Sequence, residues 1–196
     1  MAQDMEKQQE QNQKTIADYV GDMVALESHI EEALDRQLKE TSDDPEAHAA
    51  VQRWHDMVKH NRDHMKQVQE QVGTTAGNPI IKVGAAVLGK AAGIVDLIRS
   101  EGISKSIRDD YTAFNLAAIG YTMLYTTATA LNNTQVATVS EEHLRSYAKA
   151  IQEINHIIPG VVVRELQKDG HQASQSAIQQ TQKIVDEAWK DTSHEV

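Results

Sequence analysis

The sequence predicts an all-α protein, a bundle of four long helices arranged as two hairpins, with a C-terminal helix added. Three observations carry that expectation. Apolar residues recur at alternating three- and four-residue spacing in four segments, the interval that puts side chains on one helix face. No segment shows the strict alternation of a half-buried strand. The breaks between segments are short, long and short in order, so two hairpins are separated by one crossover.

The elements follow in chain order. Residues 1–14, rich in Gln and without periodicity, are expected to form a polar, disordered tail ahead of a bundle spanning 15–170. The first helix is predicted from Thr15 to Glu40 on the stripe Ile16, Tyr19, Met23, Leu26, Ile30, Leu34, Leu38. Asp44 and Pro45 open the second, because proline at the first helical position gives up no useful donor and Asp44 can cap. That helix carries Val51, Trp54, Val58, Met65, Val68 and Val72, with Asn61 interrupting the stripe. The break at 73–79 leads into a Gly/Ala-rich segment from Ile80 to Ile98, read as a short helix in the crossover, where Gly89 and Gly93 allow close packing.

Ser106 to Leu131 is the most apolar long segment and is expected to be the central helix, buried by several neighbours. Ser106-x-x-Asp109 fits a capping box. The fourth helix is predicted from Ser140, on Leu144, Tyr147, Ile151, Ile154 and Ile158, and is expected to kink or restart at Pro159-Gly160. Residues 171–196 hold a last helix, with Ala177, Thr181, Ile184, Val185, Ala188 and Trp189 on one side. Long helices in two hairpins with one crossover have the connectivity of ferritin-like four-helix bundles.

Composition narrows function. Acidic residues outnumber Lys and Arg, 29 against 19, for a formal charge of −10. That balance argues against nucleic-acid backbones and anionic membrane surfaces as partners. With no cysteine, disulfides, thiolate ligands and cysteine nucleophiles are all excluded. The polar start lacks the pattern of a secretory signal, and the longest apolar stretch is broken by Lys82, Lys90 and Asp96, so a cytoplasmic protein without a membrane span is expected.

Candidate chemistry comes from ionisable groups on helix faces that should turn inward. In ferritin-like metal proteins two helices each supply a carboxylate and two supply Glu-x-x-His pairs, around two ions. Glu27 falls on the stripe of the first helix, where an unpaired carboxylate costs several kcal/mol unless it is paired, protonated or coordinated. His60 and His64, four apart, can share one ion or lie on the surface. Asp109 and Asp110 open the third helix, and Asp110 sits on its core stripe. Glu153-Ile154-Asn155-His156 is a literal Glu-x-x-His beside the apolar face of the fourth. Together these make a candidate metal set: Glu27, His60, His64, Asp109, Asp110, Glu153 and His156.

The LeuGluSerHisIleGluGluAlaLeu run of the first helix, the His64 segment and the Arg108-Asp109-Asp110-Tyr111 opening resemble the small bacterial ferritin-like stress proteins of the YciE/YciF type over about residues 15–166. The resemblance implies a homodimer, a di-iron or di-manganese centre and a stress-associated role. It matches Glu27 to the carboxylate of the first helix, His64 to the histidine of the second and Asp109 to the acidic residue of the third. His60 stands where a glutamate is expected, and Asp replaces Glu in the third helix. Two expectations follow: oxidase-like or peroxide-scavenging chemistry on two Fe or Mn ions, or a non-enzymatic bundle with a degenerate site that works through self-association or a protein partner.

Overall fold

The computed structural model describes residues 2–75 and 102–192. Five helices make up the described chain: α1 (Ala2–Glu40), α2 (Pro45–Thr75), α3 (Ile103–Ala130), α4 (Thr134–Lys168) and α5 (Ser176–Thr192). The crossover helix expected at 80–98, with Gly89 and Gly93, lies outside the described residues. α1 pairs with α2 and α3 with α4, each through a short turn, and the hairpins meet through α1 on α3 and α2 on α4. No described helix is long and apolar enough to cross a membrane.

Local chemistry explains most boundaries. Asp44 caps α2 as expected, its Oδ1 accepting from the Ala47 N–H at 3.1 Å. Asn133 caps α4 by accepting from the Val136 N–H at 3.1 Å, so α4 begins at Thr134 and the expected cap Ser140 stands inside it. There the Ser140 hydroxyl donates to the Val136 carbonyl at 2.7 Å. α3 starts at Ile103, without the expected capping box. The carboxylate of Glu165, far along the chain on α4, accepts from the Ser104 N–H at 3.0 Å instead. Gly102, with φ at 133°, makes that approach feasible, since a Cβ would lie 3.0 Å from the same carboxylate oxygen.

Two further differences concern helix length. α1 reaches back to Ala2, over residues expected to be a tail; its first turns are polar and exposed. Gln, Glu and Lys are good helix formers, so the long helix extends without core contact. α4 continues through Pro159 to Lys168.

The core between the hairpins is built from Ile16, Val20, Met23, Ile30 and Leu34 of α1, Val51, Trp54, Val58, Met65 and Val68 of α2, Ile107, Phe114, Ala117, Tyr121 and Leu124 of α3, and Tyr147, Ala150, Ile154, Ile157 and Val161 of α4. On α4 the buried line runs through Ser140, His143, Tyr147, Ala150, Ile154 and Ile157, with Leu144, Ile151 and Ile158 at its half-buried edge. α3 is less enclosed than expected: Leu116, Ile119 and Met123 are exposed on its outer side. α5 packs on α4 through Ile178, Gln182 and Val185, while Ile184 and Trp189 point outward.

Candidate functional site

Five polar side chains meet midway along the bundle, and all four long helices contribute. Glu27 of α1 has no exposed surface. Its Oε1 accepts from the Tyr121 hydroxyl of α3 at 2.7 Å and the Tyr147 hydroxyl of α4 at 3.2 Å. Tyr121 also meets His143 Nδ1 of α4 at 2.8 Å, and His143 Nε2 lies 3.3 Å from His64 Nδ1 of α2. With the tyrosine proton donated to Glu27, one tautomer satisfies the chain: His143 Nδ1–H donates to the Tyr121 oxygen, and His64 Nδ1–H donates to His143 Nε2. Glu27 Oε2 is buried without a partner among the described residues, as is Asn61 Nδ2 one turn before His64 on α2, and His64 is half-buried, placing the end of the chain near the surface.

Burial decides the electrostatics. It pushes the Glu27 carboxyl up to about 8, against the two tyrosine hydroxyls and the charge of Arg62, which pull it down. Arg62 is itself engaged by Glu31 and Asp63. Burial first, and the negative Glu27 second, raise Tyr121 and Tyr147 well above the usual phenol range. Burial, then the neighbouring His64 and His60, lower His143 to about 3, so its ring is neutral at physiological pH. Imidazole nitrogens 3.3 Å apart cannot face each other as lone pairs; a proton or a metal cation must lie between them.

The residues singled out from the sequence divide between this cluster and other places. Glu27 and His64 belong to it. His60 is exposed one turn from His64, their ring centroids 6.2 Å apart. Glu153 instead joins α4 to α2, accepting from Trp54 Nε1 at 2.8 Å and from Arg53. His156 is exposed and lines a surface groove of about 620 Å³ beside α5; its backbone carbonyl accepts from Gln182. Asp109 pairs with Arg108 at 2.7 Å, and Asp110 accepts from Gln37 at 2.8 Å near the end of α1. Asp110 precedes Tyr121 by eleven residues, about 16 Å along the helix, which separates it from Glu27. Among the described residues no three His, Asp or Glu side chains gather closely enough to be recognised as a metal site.

In the sequence Tyr121 and Tyr147 look like core tyrosines that could also line a redox cavity, and His143 does not stand out, although its signal is present. Asn61-x-x-His64 and Ser140-x-x-His143 carry the spacing of the two Glu-x-x-His pairs, with Asn and Ser where the glutamates would stand, so the place expected of His60 falls to Asn61. On α3, Tyr121 meets Glu27 where a carboxylate would be required. The donor set therefore does not fit two ions: of four inward carboxylates, Glu27 alone stands in the cluster. What remains for a single cation is Glu27 Oε2, without a partner among the described residues, and the facing nitrogens of His64 and His143.

A family model described as "Domain of unknown function (DUF892)" matches residues 11–167. No curated protein and no solved structure matches the chain.

Proposed function

The chain belongs to the DUF892 family, within the ferritin-like superfamily, and on that premise we propose that it is a stress-associated bundle of the YciE/YciF type that holds a single Fe or Mn ion at Glu27, His64 and His143. The observation that supports this most directly is Glu27 Oε2, buried without a partner among the described residues, in the same bonded chain as the His143 and His64 rings. An ion held there would supply one-electron redox chemistry toward dioxygen or peroxide. The protein's own groups act around it. Tyr121 and Tyr147 fix Glu27 Oε1 and leave Oε2 free, and Tyr121 orients the His143 ring through Nδ1. Without an ion, the line from Tyr121 through His143 to half-buried His64 can carry a proton between the core and the surface; a bound ion replaces the proton between the two rings and interrupts it.

The test is anaerobic loading of chelator-stripped protein with Fe²⁺ or Mn²⁺, followed by metal analysis. About one equivalent per chain is expected from the three-ligand set, with loss in Glu27→Gln and His143→Ala. Binding near zero, or binding unchanged in both variants, retires the metal reading.

The outer face of α3 favours a second reading, self-association. Residues 111–140 contain no Asp, Glu, Lys or Arg. Thr112, Leu116, Ile119 and Met123 stand exposed there on one helix side. Two copies of so acidic a chain repel each other over most surfaces, and this uncharged face is where a second copy can approach without opposing charge. The resulting assembly is a homodimer, with or without metal.

A further inference from the structure

A second polar site lies at the end of the bundle where α1 finishes and α3 begins, about 15 Å along α1 from Glu27. Gln37 of α1 and Ser106 and Asp110 of α3 are buried there, at 1%, 2% and 3% exposure. Gln37 Nε2 donates to Asp110 Oδ1 at 2.8 Å, which brings the amide and the carboxylate head to head. Every other polar atom on these three side chains lacks a partner: Gln37 Oε1, Asp110 Oδ2 and Ser106 Oγ. Asp109 adds a fourth oxygen in the same state, its Oδ2, while Arg108 holds Oδ1. Ser106 and Asp110 are four apart and share one face of α3.

Buried oxygens without donors are costly, and each requires an explanation. Here all four are acceptors of the kind that ligate hard cations: two carboxylates, an amide carbonyl and a hydroxyl. The charges that act on Asp110, from Asp109 and Glu40, are both negative and reinforce the raising effect of burial, so a cation relieves the site where an anion or neutral ligand would not. Protonated, the Asp110 carboxyl can donate from Oδ2 to Gln37 Oε1 across the head-to-head pair, but Asp109 Oδ2 and Ser106 Oγ still face no donor among the described residues; a cation takes the place of that proton and engages all four oxygens.

We infer that Gln37, Ser106, Asp109 and Asp110 form a binding site for a hard divalent cation, Mg²⁺ or Ca²⁺, independent of the Glu27 cluster. A cation there ties the last turns of α1 to the opening of α3, joining the two hairpins at one end. The oxygen-only ligand set separates it from the histidine-containing centre, which selects transition metals.

The experiment titrates chelator-stripped protein with MgCl₂ or CaCl₂, by calorimetry and by thermal melting. With at least one of the two salts, saturable binding and a rise in Tm are expected. Asp110→Asn should abolish both, Ser106→Ala should weaken affinity roughly tenfold by removing one ligand, and Glu27→Gln should leave both unchanged. The cation-dependent change in Tm is the quantity compared, because Asp110→Asn removes a buried carboxyl and changes the baseline. If Asp110→Asn does not fold, Ser106→Ala and Gln37→Leu carry the same comparison. Absence of binding with both salts at millimolar concentration, or binding that persists unchanged in the Asp110, Ser106 and Gln37 variants, overturns the inference.

Discussion

At Glu27, burial favours the protonated carboxyl, and the sign of its contribution to stability follows from where each state releases its proton. Below its ordinary value of 4.5 both folded and unfolded chains hold the proton. Between there and about 8 only the folded chain does, so stability falls as pH rises through that window and levels off above it. Asp110 acts in the same direction between 3.8 and about 7. His143 acts oppositely: the unfolded chain gains a proton below 6.5 and the folded chain only near 3, so stability falls as pH drops through that range. Metal-free Glu27→Gln should therefore be more stable than wild type at pH 8, by on the order of a few kcal/mol at about 1.4 kcal/mol per unit, with the gap closing toward pH 4.5. Denaturant melts at several pH values check this, and a gap independent of pH refutes it. Tyr121→Phe removes the hydroxyl that serves both Glu27 and His143, and should cost about 1–3 kcal/mol by leaving buried groups unmatched. Thermal melts beside Tyr125→Phe, on an exposed position, provide the control. Glu27 was readable in the sequence because a carboxylate on an apolar stripe is an anomaly. Tyr121 was not, since a tyrosine at helical spacing is also ordinary core, and only its two bonded partners give it a role.

At the level of helices, periodicity identified the segments, but their phase was harder to read. α4 offers two neighbouring apolar lines, one through Leu144, Ile151 and Ile158 and the other through Ala150, Ile154, Ile157 and Val161. The expected face mixed the two, joining Leu144, Ile151 and Ile158 to Tyr147 and Ile154, whereas the second line is the buried one and carries His143 with it. Starting α4 at Ser140 had the same effect, by turning an inward position into an expected cap. The α3 start was illegible for another reason: its capping group, Glu165, is sixty-one residues away in sequence. Glu165→Ala should cost about 1 kcal/mol, the usual worth of a helix cap, and should raise amide exchange in the first turn of α3 before other helices are affected. Exchange that rises equally throughout the bundle would show that Glu165 does not act as a cap. Gly120, also on α3, faces Met23, where an added Cβ would lie 2.7 Å from the thioether sulfur. The long Met23 side chain can shift, and alanine favours the helix, so Gly120→Ala should change stability by no more than about 1 kcal/mol in denaturant melts.

For the molecule as a whole, charge is distributed by helix. The ends of α1, α2 and α4 are tied by Arg164, which donates to Asp44 at 2.8 Å and to Glu46 at 2.6 Å, while α3 contributes a long neutral surface. Ile119→Glu places a charge at the centre of that surface. Analytical ultracentrifugation should show wild-type dimers and monomeric Ile119→Glu; a monomeric wild type removes the self-association reading. The two tryptophans sit in opposite surroundings. Trp54 is 1% exposed, edge-on to Phe114 with ring centroids 5.8 Å apart, and its indole is bonded to Glu153; Trp189 is 56% exposed on α5. Their fluorescence is consequently separable. Replacing Trp189 by Phe leaves one blue-shifted emitter between α2 and α4, whose red shift follows disassembly of the hairpin interface, while acrylamide quenches the Trp189 emission of the parent protein first and so reports α5 alone.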